Sequence, residues 1–211
     1  MTDAREVVLA RVRRALATPQ SPLADVPREY RTSGDHPPGH HLLLDRFEQR
    51  LLDYRAAVHR CSPDNVGDEV ALALRGAGAV HVAVPTGLPP PWQQPWSAKA
   101  VLDNGLSVTE LDGLDGAVTG CAIAIAETGT IVLDAGPTCG RRALTLVPDL
   151  HICIVLGDQV VASVPEGVAR LDPQRPLTFV SGPSATSDIE LSRVEGVHGP
   201  RRLHVMIVQQ A

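Results

Sequence analysis

Polar side chains crowd one short span near the end of the sequence. Asp188, Glu190, Arg193, Glu195, His198, Arg201 and Arg202 follow a run of small and hydroxylated residues, Ser181-Gly182-Pro183-Ser184-Ala185-Thr186-Ser187. A purely structural connection seldom needs so many ionisable groups. The chemistry that suits them is the capture of an anion: hydroxyls and backbone N–H groups donate hydrogen bonds, and arginine forks supply charge to a carboxylate or phosphate. His198 or Glu195 would handle a proton, because an imidazole titrates near neutrality. Ser187-Asp188-Ile189-Glu190 has the S-x-x-E form of a helix capping box, with Gly196 as a stop. Ahead of the loop, residues 177–180 are apolar, rich in β-formers and bounded by Gly and Pro, which predicts a buried strand. A strand that gives way through a hydroxyl-rich turn to a helix N-terminus gathers amide hydrogens and positive dipole at one place. Two readings stand: Ser187 and Glu190 only cap the helix, worth about 1 kcal/mol, or the loop binds an anionic ligand.

Two more stretches carry candidate chemistry. Residues 117–133 hold two β-rich runs separated by Glu127-Thr128-Gly129, and Gly129 suits the positive φ of a tight turn, so a hairpin is expected. Glu127 ends an otherwise apolar strand, where a carboxylate is either exposed at the sheet rim or held by a partner. In an acyl transferase the same carboxylate would be the nucleophile. Arg141 and Arg142 follow a turn around Gly136-Pro137 and form either forks for an anion or surface ion pairs.

The elements that position these residues alternate. Residues 3–17 read as a helix with Val8, Val12 and Leu16 on one face and Arg11, Arg13 and Arg14 elsewhere, a solvated surface or a dock for an acidic partner. Residues 18–40 are rich in Pro, Gly, Asp and Ser and show no periodicity, so residues 1–40 read as a helix plus a linker or mobile arm, and 41–211 as an α/β domain. Leu44, Phe47, Leu51 and Tyr54 recur at helical spacing over 41–54, and a strand follows at 56–61. A helix at 63–75 and a strand at 79–84 continue the pattern of a parallel sheet covered by helices. Residues 85–96, with five prolines, Trp92 and Trp96, form neither a regular helix nor a central strand. They are a rigid loop with its tryptophans tucked onto the core, or a substrate lid. Further strands are expected at 107–111, 150–156 and 203–208, and a helix at 164–171.

Composition excludes several classes. At 211 residues the chain buries roughly 70% of its unfolded surface and needs no disulfide or metal to fold. Cys61, Cys121, Cys139 and Cys153 are far apart with no C-x-x-C pair, so no iron-sulfur cluster and no other cofactor is expected on this chain. A formal charge of -5 and 3% aromatic residues speak against nucleic-acid binding. No run of 18 apolar residues occurs and the first residues lack a signal-peptide pattern, which predicts a soluble, cytoplasmic protein. Lys99 is the only lysine and has no P-loop around it.

Ala126-Glu127-Thr128-Gly129-Thr130, the run Arg142-Ala143-Leu144-Thr145-Leu146-Val147-Pro148-Asp149-Leu150-His151, and Ser181 through Glu190 followed by Glu195-Gly196-Val197-His198-Gly199-Pro200 together resemble the LUD domain, in particular the lactate utilisation protein C family. The ordered set is specific where the ETGT turn alone is weak, and it covers the sequence from about Ala117 onward. The resemblance implies a fold similar to the ribose-phosphate isomerase, glucosamine-phosphate deaminase and CoA-transferase group. It also implies work beside two iron-sulfur partner proteins in the oxidation of L-lactate to pyruvate. Glu195 and His198 are the candidates for moving the proton in that oxidation, and Glu127 is the candidate for covalent chemistry in a rival acyl transfer. Thr128, Gly129, Thr130, Arg141, Arg142, Ser181, Gly182, Ser184, Ala185, Thr186, Ser187, Asp188 and Glu190 are the candidates for holding a small carboxylate or phosphate-bearing ligand. The rivals are a stand-alone CoA-transferase-like or sugar-phosphate isomerase-like enzyme, and a scaffold for the iron-sulfur partners.

Overall fold

A computed structural model describes residues 4–17, 27–186, 194–195 and 199–209, with backbone alone for 185, 186, 194 and 195. It divides into two units between Tyr30 and Arg31. In the first, α1 (Ala4–Leu16) takes the expected helical course, with Val8, Val12 and Leu16 exposed along one face. Among the described residues no helix is long and apolar enough to cross a membrane.

The second unit begins with α2 (His41–Asp53), β1 (Ala57–Cys61), α3 (Val66–Ala77), β2 (His81–Val84) and β3 (Lys99–Leu102). There follow α4 (Val108–Asp112), β4 (Gly116–Gly120), β5 (Ile123–Ile125), β6 (Thr130–Leu133), α5 (Arg142–Leu146), β7 (Leu150–Leu156) and β8 (Val160–Val161). The remaining elements are α6 (Val164–Ala169), β9 (Thr178–Val180), β10 (Ala185–Thr186), β11 (Val194–Glu195) and β12 (Arg202–Val208). Six strands form one sheet in the order β1-β12-β7-β4-β2-β3, every pair parallel. A second sheet, β8-β5-β6-β9, is mixed, with the β5–β6 hairpin at its centre.

The sequence of β7, LHICIVL, shows why the large sheet forms. A central parallel strand is covered on both faces and so reads as a continuous apolar run. Leu150, Ile152 and Ile154 pack with Val66, Val70 and Leu74 of α3 on one side. Cys153 and Val155 pack on the other with Leu43, Leu44, Phe47 and Leu51 of α2 and with Ala124 and Ile131 of the second sheet. The second sheet and α2 therefore share one face of the large sheet, and α3 covers the opposite face. Trp92 and Trp96 are half-buried against the α3 side.

Three local expectations are corrected. Residues 107–111 are not a strand: Ser107 caps α4 by accepting from Glu110 N at 3.2 Å, while Glu110 accepts from Ser107 N at 2.7 Å. The reciprocal hydrogen bonds of this S-x-x-E box outweigh the β-branched Val and Thr that suggested an extended run. The sheet strand in this region is β3 instead, an edge strand exposed along most of its length. Residues 178–180 are a strand, yet a half-exposed one, with Phe179 51% accessible, because β9 is the outer strand of the small sheet. Finally, Val194–Glu195 are extended and pair antiparallel with Ala185–Thr186, so a helix does not run to Gly196; its expected start at Ser187 lies outside the described residues.

Candidate functional site

The ETGT turn and the SGPS loop are distant in sequence and adjacent in space. Thr128 Oγ1 lies 2.7 Å from Thr130 Oγ1, and Thr130 Oγ1 lies 2.7 Å from Ser181 Oγ, a chain of three hydroxyls linking hairpin to loop. The pairing of β6 with β9 brings them together, setting Ile131 opposite Val180. Both turns also press on the last turn of α2. A Cβ on Gly129, at φ 63°, would stand 2.6 Å from Arg50 Cβ, and one on Gly182, at φ 87°, would stand 2.5 Å from Tyr54 Cβ. Only glycine fits such left-handed, crowded positions.

Ser181 opens a cleft of about 920 Å³. One wall is β9 with the loop after it, contributing Thr178, Phe179, Ser181, Gly182 and Ser184. The other is α5 with Arg142 and Thr145, and the floor is the amino end of β7 and β12, with Asp149, His151, Arg201 and Leu203. The cleft is polar in a particular way. Arg142 is exposed and makes no ion pair among the described residues. Arg201 Nε meets Asp149 Oδ1 at 2.6 Å, and this contact holds the Asp149 carboxyl below its ordinary range. Thr178 Oγ1 is a buried hydroxyl oxygen without a hydrogen-bond partner among the described residues. His151 is buried, with Nε2 2.8 Å from Thr119 Oγ1, and burial pushes its ring down to about 4, so it is uncharged at neutral pH.

This position is unusual for a parallel sheet, where ligands sit beyond the carboxyl ends of strands at the point where connections turn in opposite directions. That point lies between β2 and β4, since β2 leads outward to β3 and β4 leads the other way to β7. Here it is filled by the chain itself. Gly87 N donates to Pro137 O at 3.0 Å and Gly120 N to Thr138 O at 2.9 Å. Arg141 grips Asp103 with Nε and Nη2, both at 2.8 Å, and also donates to the Leu106 carbonyl.

The structure thus separates the two arginines: Arg142 faces the cleft and Arg141 pins the loop that closes the switch point. Ser181, Gly182 and Ser184 line the cleft, Thr128 and Thr130 reach it through the hydroxyl chain, and Gly129 shapes the turn. Glu127 is exposed on that turn, its N–H donating to Ala162 O at 3.1 Å, and is not part of the cleft lining. Ala185, Thr186 and Glu195 are placed by backbone alone, in the short β10–β11 ladder. Ser187, Asp188, Glu190 and His198 lie outside the described residues.

All the cleft residues fall within one stretch, Asp112 to Leu203. A family model described as LUD domain matches residues 109–208. A protein of Deinococcus radiodurans, called Lactate utilization protein C, is 51% identical over 170 residues, 79% of this chain and 79% of the relative. The chain belongs to the LUD domain family. A Lactate utilization protein C of Geobacillus thermodenitrificans is 29% identical over 168 residues, covering 74% of this chain and 67% of that one. The crystal structure of a duf162 family protein from Deinococcus radiodurans matches with a TM-score of 0.67 and 43% identity, over 80% of this chain and 97% of that one. This LUD domain therefore carries its cleft inside the matched region.

Sequence reasoning missed Asp112, Thr145, Asp149, His151, Thr178 and Phe179 as cleft residues. One signal was in view: His151 is the only ionisable group in the LHICIVL run other than a thiol, and a buried polar side chain needs a partner or a purpose. The others reach the cleft only through the meeting of two sheets.

Proposed function

We propose that this LUD domain serves lactate utilization as the non-cluster subunit of an iron-sulfur-dependent system that oxidises L-lactate to pyruvate in the cytoplasm. Its cleft binds a small carboxylate or a phosphate-bearing ligand. The observation that carries the reading is Arg142, a cation with no ion pair among the described residues, on the wall of the cleft facing the hydroxyl-bearing loop at Ser181 and Ser184. An unpaired guanidinium among hydroxyl donors matches a carboxylate by charge and geometry. The names of the relatives point the same way. Oxidation of the hydroxy acid releases two electrons and two protons; the electrons pass to clusters on two iron-sulfur partner proteins, while this chain holds the acid.

Calorimetric titration with L-lactate, pyruvate and sugar phosphates tests the site, repeated on Arg142→Ala and Ser184→Ala. At least one anion binds the parent chain, and binding weakens about tenfold or more in Arg142→Ala, the size of a lost charge-assisted hydrogen bond. Binding unchanged in both variants overturns the assignment. A stand-alone transferase using Glu127 as nucleophile gains nothing from this cleft, because Glu127 does not line it.

A further inference from the structure

Among the described residues His151 is the one buried histidine, and it lies against the cleft. It sits on β7, on the face that Cys153 and Val155 turn toward the second sheet. Its Nε2 is hydrogen-bonded to Thr119 Oγ1 on the neighbouring strand β4, and Thr119 is fully buried with no other side-chain hydrogen bond among the described residues. Nδ1 makes no hydrogen bond among the described residues, and His151 is one of the residues that line the cleft.

The tautomer follows from where hydrogens can go. If the Thr119 hydroxyl accepted from Nε2–H, its own hydrogen would be sealed in the core without an acceptor, which is costly. If the hydroxyl donates to Nε2, no hydrogen is orphaned, and the single ring proton sits on Nδ1 at the cleft. We infer that His151 is a neutral hydrogen-bond donor of the cleft, presenting Nδ1–H to a ligand oxygen, and that Thr119 is the positioning residue that fixes its tautomer. The ligand part of this inference rests on the anion-binding reading given above. Burial supports it by keeping the ring uncharged at neutral pH. Among the described residues the charged groups facing the same cleft are Asp112, Arg142, Asp149 and Arg201. A neutral donor beside a free guanidinium suits a small acid that carries a second oxygen next to its carboxylate: Arg142 takes the charge and Nδ1–H takes the 2-oxo or carboxylate oxygen. The same division of labour, a neutral imidazole polarising a carbonyl, is a known use of a histidine with a depressed pKa.

Nitrogen-15 NMR of the full, ligand-free chain decides the tautomer. The expected His151 spectrum has a protonated Nδ1 and a bare Nε2, unchanged from pH 5.5 to 8; a ring protonated at Nε2, or one that titrates in that range, overturns the inference. In Thr119→Val the two nitrogen signals move toward each other as the tautomers mix, an effect that a merely structural threonine would not produce. Titration with pyruvate and oxalate tests the ligand side. His151→Leu weakens binding about tenfold or more, while His151→Asn, whose amide nitrogen stands near the place of Nδ1, restores most of it. Binding by His151→Leu equal to the parent chain overturns the donor role. If the parent chain binds neither anion, the reading of the cleft falls with it, while the ligand-free spectrum still judges the tautomer.

Discussion

Two adjacent arginines are expected to fail in opposite ways when replaced. Arg141→Met removes the fork on Asp103, whose side chain is 3% exposed, from a guanidinium that is itself 40% exposed. Breaking a fully buried pair costs about 3–5 kcal/mol and an exposed one about 0–1 kcal/mol. With one partner enclosed and the other reaching water, the cost is about 2 kcal/mol, or roughly 4–8 °C in Tm for a domain of this size. Arg142→Ala removes an exposed cation with no ion pair among the described residues and changes stability by less than about 0.5 kcal/mol. For ligand binding the order reverses: Arg142→Ala weakens it about tenfold or more, and Arg141→Met leaves it nearly unchanged. Urea unfolding and calorimetric titration on the same samples measure both effects.

The same pair has a pH signature. Arg141 pulls the Asp103 carboxyl below its ordinary value of 3.8, against the opposing effect of burial. A carboxyl that is more acidic folded than unfolded stabilises fully above its unfolded value, and that contribution disappears as pH falls through the lower folded value. The stability gap between the parent chain and Arg141→Met is therefore constant from neutrality to about pH 5 and closes below the unfolded value. A gap that persists in acid, or an Arg141→Met chain that loses ligand affinity without losing stability, refutes the division of roles.

Further outcomes follow from the packing. Thr130→Val cuts the chain of hydroxyls between Thr128 and Ser181, and because Ser181 is exposed and Thr128 half-buried, water takes up both ends and the cost in urea unfolding is about 0.5–1.5 kcal/mol. Gly129→Ala, at φ 63° with Arg50 Cβ only 2.6 Å from the new methyl, lowers Tm more than Gly76→Ala, whose added Cβ meets nothing within 4 Å; equal effects would discount the close approach. Burial pushes the Cys139 thiol up to about 12 and the Cys61 thiol up to about 11, so a thiol-reactive reagent at pH 8 labels neither until the chain unfolds. Rapid labelling of the native chain at either position would contradict their burial.

The alternation of helix and strand was legible because each element carries its own period. The apolar spacing of Leu44, Phe47 and Leu51 places α2, and the unbroken LHICIVL run can only be a strand covered on both faces. Gly129 marked the hairpin for a local reason too, since few other residues adopt its φ. Where two local signals competed, as at residues 107–111, the extended-run pattern misled and the capping box prevailed. The half-exposed state of β9 was not legible, because whether an apolar strand lies at the centre or the rim of a sheet depends on which strands pair with it.

The chain alone determined the kinds of groups on offer: many arginines and a single lysine, hydroxyls in two clusters, isolated thiols, and histidines inside two apolar strands. Tertiary structure decided what each meets. The pairing of β6 with β9 joined Thr130 to Ser181 across 51 positions of sequence. The bond to Asp103 took Arg141 out of the cleft and left its neighbour in it. The physical reason is that charge and hydrogen-bonding capacity belong to a residue, whereas burial and partnership belong to the space between elements, and no stretch of sequence contains that space.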